Sequence, residues 1–389
     1  MTEPECCGRG KIKLTINRLS FITATFPPTV CGVGDHTAQL ATVLSRTHEV
    51  KVLTAYGEAK DLGSVKVEQA FRYDRPRSIF SLIEPIIRDK PDWLIVQYDP
   101  FSYGARYGFN PYLPLAMNLL KRRSPQIKLC IIVHESFMPI HSWKSAALSL
   151  ELKAQLWSLA RVADVIFTAT EPWVGRLAKW FPRKTIKHLP VGSNMPCVPV
   201  SRDEARARLG ISEQTTVLGL FGRLQKTRSI GHITQAVERT RAAGLEVLVL
   251  YMGHDSDAAR HHLGNVTLKA EGLLTPEEIS KRFAAMDVYL MPIDEGISTR
   301  RTSLMTGLQH GIATVATSGR ATDNLLLRED GKAFLLADVG APDVFGDHVL
   351  DLVSNSARRK SLSDGASQLF SREFTWNRIS KTLLETLLT

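Results

Sequence analysis

The chain has 389 residues, a length that favours two hydrophobic cores over one. Its 44% hydrophobic and 23% charged content excludes a largely disordered or fibrous polypeptide, and no apolar run reaches the ~18 residues of a membrane-spanning helix. The net charge of +10 lies wholly in one half: residues 1–195 hold 26 Lys and Arg against 16 Asp and Glu, whereas residues 196–389 hold 23 of each. A basic half beside a neutral one fits a domain that faces an anion, or equally a merely solvated basic face. The five cysteines form no C-x-x-C pair, so neither a disulfide framework nor a zinc site is expected. The first residues carry no apolar secretory segment. A cytoplasmic location follows as the expectation, with peripheral contact to the inner face of a membrane allowed by the charge.

In chain order, continuous apolar runs predict strands over 18–23, 49–53, 93–97, 128–133, 165–168 and 186–189. Helical patterns lie between them over 35–45, 78–88, 112–120, 146–162 and 174–180. Such runs suit parallel strands buried on both faces, and the helices supply the crossovers of a doubly wound sheet. Residues 190–201 contain three prolines and Gly192-Ser193-Asn194, a linker composition. A helix over 202–209 follows, and strands restart at 216–221, 246–252, 266–270, 288–291, 313–316 and 333–336. The expected fold class is α/β, with two Rossmann-like doubly wound domains facing a cleft. The boundaries are an N-terminal domain 1–192, a linker 193–204, a C-terminal domain 205–370 and a terminal helical segment 371–389. Ligands of such sheets bind beyond the carboxyl ends of the strands.

Three segments at strand ends carry candidate chemistry. Cys31-Gly32-Val33-Gly34-Asp35-His36-Thr37 opens a helix; its glycines allow close backbone approach, although Asp35 is equally a helix cap. Phe221-Gly222-Arg223-Leu224-Gln225-Lys226-Thr227-Arg228 follows a strand, and Arg223 with Arg228 can grip a diphosphate or simply be solvated. Pro292 to Ser303 includes Glu295, Gly296, Arg300, Arg301 and Thr302, crowding charges and hydroxyls at a helix amino terminus, where phosphate and sugar hydroxyls bind well.

Together with Phe26-Pro27-Pro28, Pro190-Val191-Gly192-Ser193-Asn194, Glu271-Gly272-Leu273 followed by Pro276-Glu277-Glu278, residues 285–292, residues 310–317 and Phe374-Thr375-Trp376, these segments resemble a GT-B glycosyltransferase of the large retaining family-four group. The resemblance covers nearly the whole chain. It implies transfer of a sugar from a nucleoside-diphosphate donor to a carbohydrate or lipid-linked acceptor, with retention of configuration and no cofactor. By position, Arg223 and Arg228 would hold the diphosphate, with Gly34 on the donor side. Gly272 and Leu273 would meet the base, and Glu295 and Gly296 the donor sugar. His134 would lie near the reacting centre. Asp35 and His36 would serve the acceptor. In the loop over 99–114, rich in Tyr, Phe, Gly and Asn, Tyr103 and Tyr107 either stack against an acceptor sugar or simply pack the loop.

Two departures stand out. The second glutamate expected eight residues after Glu295 is Ser303, and alignment on Gly311 puts Thr306 there instead, with three extra residues that include Arg300 and Arg301. Arg300 or Arg301 is therefore expected to reinforce the diphosphate clamp. Fixed cations replace a divalent metal in such a clamp, so no metal is expected, and Asp255-Ser256-Asp257 reads as a helix cap. Trp173, Trp180 and Phe181, interleaved with Arg176, Lys179, Arg183 and Lys184, fit either an anionic leaflet or core packing. No nucleic-acid module is present. The alternatives are a nucleotide-sugar epimerase on the same scaffold and a catalytically silent partner subunit.

Overall fold

A computed structural model describes residues 16–104, 110–135, 142–224 and 227–389. The first sheet comprises β1 (Arg18–Ile22), β2 (Glu49–Ala55), β3 (Lys66–Phe71), β4 (Trp93–Tyr98), β5 (Lys128–Val133), β6 (Val165–Thr168) and β7 (Thr185–His188). Its order is β3-β2-β1-β4-β5-β6-β7, and every pairing is parallel. The connecting helices are α1 (Gly32–Leu44), α2 (Ile83–Asp89), α3 (Tyr112–Arg123), α4 (Trp143–Val162) and α5 (Glu171–Trp180). A helix α6 (Arg202–Leu209) leads into the second sheet. That sheet holds β8 (Thr216–Phe221), β9 (Val247–Met252), β10 (Leu268–Ala270), β11 (Val288–Met291), β12 (Thr314–Ser318) and β13 (Leu335–Asp338), in the order β10-β9-β8-β11-β12-β13. Its helices are α7 (Ile230–Ala242), α8 (Ser256–Leu263), α9 (Pro276–Phe283), α10 (Thr302–Gln309), α11 (Asn324–Leu327), α12 (Pro342–Ser354) and α13 (Ser356–Leu369), before the terminal α14 (Trp376–Leu387).

The continuous apolar strands have a direct explanation. In β4, Leu94, Val96 and Tyr98 enter one core while Trp93 and Ile95 enter another on the opposite face. β5 repeats this with Leu129, Ile131 and Val133 against Cys130 and Ile132. Both faces of the sheet are covered, so both sets of alternating positions must be apolar. β3 was not expected from the sequence. It reads Lys-Val-Glu-Gln-Ala-Phe because it is an edge strand, where polar residues guard the open side.

The terminal helix returns to the first domain. Ile379, Leu383 and Leu387, spaced four apart, join the core formed by Leu40, Ala41 and Leu44 of α1. Trp376 fixes the crossing: its Nε1 donates to Ser193 O at 2.7 Å. A Cβ on Gly192 would sit 2.7 Å from the indole, so glycine makes room for the ring.

A buried polar seam joins the domains. Asp323, from the second, accepts the backbone N–H of Glu171 (2.6 Å) from the first and that of Thr299 (2.6 Å) from its own. Thr299 Oγ1 in turn donates to Ala169 O (2.7 Å) and accepts from His188 Nε2 (2.8 Å). A second buried pair, Arg206 with Asp287 at 2.6 Å, lies wholly inside the second domain, where it ties α6 to the segment ahead of β11. No helix among the described residues is long and apolar enough to cross a membrane.

Candidate active site in the interdomain cleft

Each sheet reverses its strand order once, between β1 and β4 and between β8 and β11. Loops diverge at such switch points and leave a crevice at the carboxyl ends. The Phe221–Arg228 and Pro292–Arg301 segments leave β8 and β11 at the second of these points. They line a cavity of about 510 Å³ with Gly222, Arg223, Thr227, Arg300, Arg301 and Ser303 on its walls. Thr302 also borders it. It adjoins a larger cavity of about 580 Å³ between the domains, lined by Glu135, Trp173, Arg176, Glu295, Arg301 and Arg320 among others.

The arginines have distinct environments. Arg300 pairs with Glu135 of the first domain, lies 3.5 Å from Glu295, and stacks over Trp173 with 5.4 Å to the ring centroid. Glu295 is also paired with Arg320. Arg301 is different: among the described residues no carboxylate lies within ion-pair distance, and its Nε is buried without a partner. Burial, with Arg300 and Arg228 nearby, pulls its pKa down to about 10. A cation in that state stabilises any anion that reaches it. It stands at the cap of α10, whose first N–H groups have no intrahelical acceptor. Arg223 is exposed at the rim.

Arg228 departs only in part from the expected role. It is buried, and its guanidinium donates to the carbonyls of Phe221, Arg223 (3.0 Å) and Leu290 (3.4 Å). It braces the β8 loop with these bonds and still lines the smaller cavity beside Arg223 and Arg301, where it adds positive field. Thr306 also departs: it is buried, donates to Thr302 O at 2.9 Å and lies 3.2 Å from Ser193 Oγ, so it does not face the cavity. Ser303 does line it, with its carbonyl held by Tyr289 Oη at 3.1 Å.

Gly296, at φ +83°, approaches the next loop closely; a Cβ there would lie 2.3 Å from Gly319 N. Gly272, at φ +72°, turns the chain so that Leu273 stands 85% exposed. In the first domain His134 ends β5, with Nε2 2.6 Å from Gln97 Oε1. Burial lowers its pKa to about 4. His36 is buried edge-on between His134 (4.8 Å) and Trp376 (5.1 Å), with both ring nitrogens unpartnered. Burial, then His134, holds its pKa well below the ordinary value. Asp35, beside it on α1, is raised by burial to about 6. Gly34 serves packing: a Cβ would meet Thr25 O at 2.9 Å. Tyr103 is a core residue whose hydroxyl donates to Gln97 O (2.7 Å) and Ile22 O (3.2 Å), so it does not reach an acceptor. Tyr107 lies outside the described residues.

Two further expectations change. Trp173 faces Arg300 in the cleft and Phe181 is buried, so the α5 stretch does not present a continuous outward aromatic face. Asp255 occupies the cap position of α8, but its side chain makes no cap bond and instead lies 3.1 Å from His254. Among the described residues no three His, Cys, Asp or Glu are grouped to hold a metal. Sequence reasoning missed Glu135, Trp173 and Arg320 as cleft residues. Arg320 follows β12 directly, so its place at a strand end was the available signal.

A comparison with protein-family models finds no match. Spore coat protein SA of Bacillus subtilis is 22% identical over 199 residues, 47% of this chain and 51% of that protein. The chain thus spans about half the length of this curated relative. Among solved structures, sucrose-phosphate synthase from Thermosynechococcus elongatus superposes with a TM-score of 0.72 at 13% identity, covering 95% of this chain and 98% of that one. Anabaena HepE in complex with UDP gives 0.69 at 15% identity, covering 96% and 99%. WaaG, a glycosyltransferase of lipopolysaccharide biosynthesis, gives 0.67 at 12% identity, covering 95% and 99%. Two parallel sheets of seven and six strands, facing one cleft and matched over almost the full chain, give this protein the GT-B fold.

Proposed function

We propose that the protein is a retaining glycosyltransferase that moves a sugar from a nucleoside-diphosphate donor to a carbohydrate or lipid-linked acceptor, without a metal. The observation that carries this reading is Arg301: a half-buried guanidinium whose Nε is buried and unpartnered, at the head of α10, opening on a cavity that also holds Arg223. Burying such a cation is costly unless an anion completes it. As the glycosidic bond breaks, the leaving diphosphate gains charge. Arg301, Arg223 and the amino terminus of α10 are preorganised to receive it.

The remaining roles follow by position. The exposed turn at Gly272-Leu273 meets the base, and Glu295 meets the donor sugar. His134, held neutral at the end of β5, is the candidate to accept a hydrogen bond near the reacting carbon. Anabaena HepE, which shares the fold and was solved in complex with UDP, supports a nucleotide ligand. Binding of UDP, GDP, ADP and dTDP, measured calorimetrically with EDTA present on wild type and on Arg223→Ala, tests the donor half. Binding of one nucleotide that is weakened in the variant supports it. Binding of none assigns the chain to a silent partner subunit, and conversion of a nucleotide sugar without acceptor assigns it to an epimerase.

A further inference from the structure

The solvent side of α4 has the wrong composition for a solvated helix. Its buried face is Ser149, Leu152, Leu156, Leu159 and Ala160. The opposite stripe, at successive offsets of four and three, is Trp143, Ala147, Leu150, Ala154 and Trp157. The three large residues are 77%, 70% and 47% exposed. They form an apolar line about 21 Å long at 1.5 Å per residue. Helices of soluble proteins place charges there.

Cations border this line. Lys144 lies over the Trp143 ring at 5.6 Å and Arg161 over the Trp157 ring at 4.6 Å. α3 packs on α4 and runs in the same sense, so Lys121, Arg122 and Arg123 end near Arg161; Lys121 reaches Asp164, just past α4, at 3.1 Å. Lys184 also joins that end, donating to Arg161 O at 2.8 Å. Glu151 is the carboxylate on the exposed side of α4. Indole rings with Lys and Arg beside them match the interface of a bilayer, where rings enter the headgroup level and cations meet lipid phosphate.

We propose that this face of α4 docks the protein on an anionic lipid leaflet. The half of the chain that bears it holds the whole net positive charge, which supplies the charge complementarity. In the chain the helix follows Glu135, a residue that lines the cleft, so the docking face belongs to the first domain.

The test is co-sedimentation with vesicles of phosphatidylcholine alone and of phosphatidylcholine with about 30% phosphatidylglycerol, at low and high salt. Wild type binds the anionic vesicles and is released by salt. The triple variant Trp143→Ser, Leu150→Ser, Trp157→Ser, checked for an unchanged melting temperature, loses roughly tenfold or more in partitioning. Arg122→Ala with Arg161→Ala lowers the salt-sensitive part. Equal retention by neutral and anionic vesicles overturns the proposal, as does unchanged binding by the triple variant. Sedimentation velocity covers the other occupant: a wild-type dimer that the triple variant converts to monomer, with no vesicle binding, assigns the face to a second copy of the chain and overturns it too. Vesicle binding needs no nucleotide, so its failure and failure of the transferase reading are separable.

Discussion

The guanidinium of Arg300, from the second domain, is ion-paired across the cleft with the carboxylate of Glu135, from the first. Its chain neighbour Arg301 has no carboxylate within ion-pair distance among the described residues, so Arg300 bridges the domains and, on the proposed function, Arg301 is the cation that meets the diphosphate. Arg301→Ala is expected to weaken nucleoside-diphosphate binding at least tenfold, in line with about 1.5–3 kcal/mol for a hydrogen bond to a charged group. Arg300→Ala is expected to weaken it by about threefold or less, since two glutamates share its charge. Arg301→Met should also raise the melting temperature while binding is lost, because a half-buried charge without an ion-pair partner is replaced by an apolar chain. Calorimetric titration and thermal melts on the same samples check both halves; retained binding in Arg301→Ala would remove this residue from the clamp.

Acid should destabilise the fold through the paired histidines. The folded-state pKa of His134 is about 4, below the ordinary 6.5, and His36 is displaced in the same direction. The unfolded chain therefore takes up protons first. Their contribution is full above about pH 6.5 and is lost as pH falls towards 4, by roughly 3 kcal/mol for His134. Asp35 acts oppositely: its value of about 6 lies above 3.8, so the native state gains protons over that interval and offsets part of the loss. Urea midpoints near pH 7 and near pH 4.5, compared for wild type and His134→Gln, measure this; the variant should lose less on acidification.

The domain seam should be sensitive to one carboxylate. Asp323→Ala leaves the N–H groups of Glu171 and Thr299 without their acceptor in a buried place, at a cost of about 3 kcal/mol. Burial raises the pKa of Asp323, so the exchange is partly cushioned by relief of that desolvation. Chemical denaturation gives the size, and separate transitions for the two domains would identify the seam as the coupling between them.

Gly296→Ala should damage both stability and donor binding. The new Cβ would lie 2.3 Å from Gly319 N and from Thr322 Oγ1, at a φ that L residues rarely adopt. A loss of about 2–3 kcal/mol is expected. Glu295 would be pushed out of register with Arg320, so the affinity for a nucleotide sugar should fall more than that for the bare nucleotide. Parallel titrations with the two ligands distinguish this from a general loss of fold.

The strands over 128–133, 165–168, 216–221 and 288–291 were legible to the residue, because burial on both faces leaves an uninterrupted apolar run. The candidate donor cavity was legible too, since strand ends and glycines mark it locally. Residues whose place depends on long-range docking were not. Trp173 and Trp180 are equivalent members of one amphipathic stretch until the second domain brings Arg300 over the former. Tyr103 looked like a loop aromatic, and only the approach of β1 and β4 gives its hydroxyl two buried carbonyls. Spacing brought Arg228 to the cavity that it lines, but could not show that three backbone carbonyls also hold its guanidinium.

The return of α14 to α1 has a consequence for how the chain matures. During synthesis the first sheet leaves the ribosome nearly 200 residues before Ile379, Leu383 and Leu387, the side chains that seal one of its faces. Until they arrive, Leu40, Ala41 and Leu44 present an open apolar groove. The nascent amino-terminal half thus carries this apolar face uncovered, and its last packing step awaits the far end of the message.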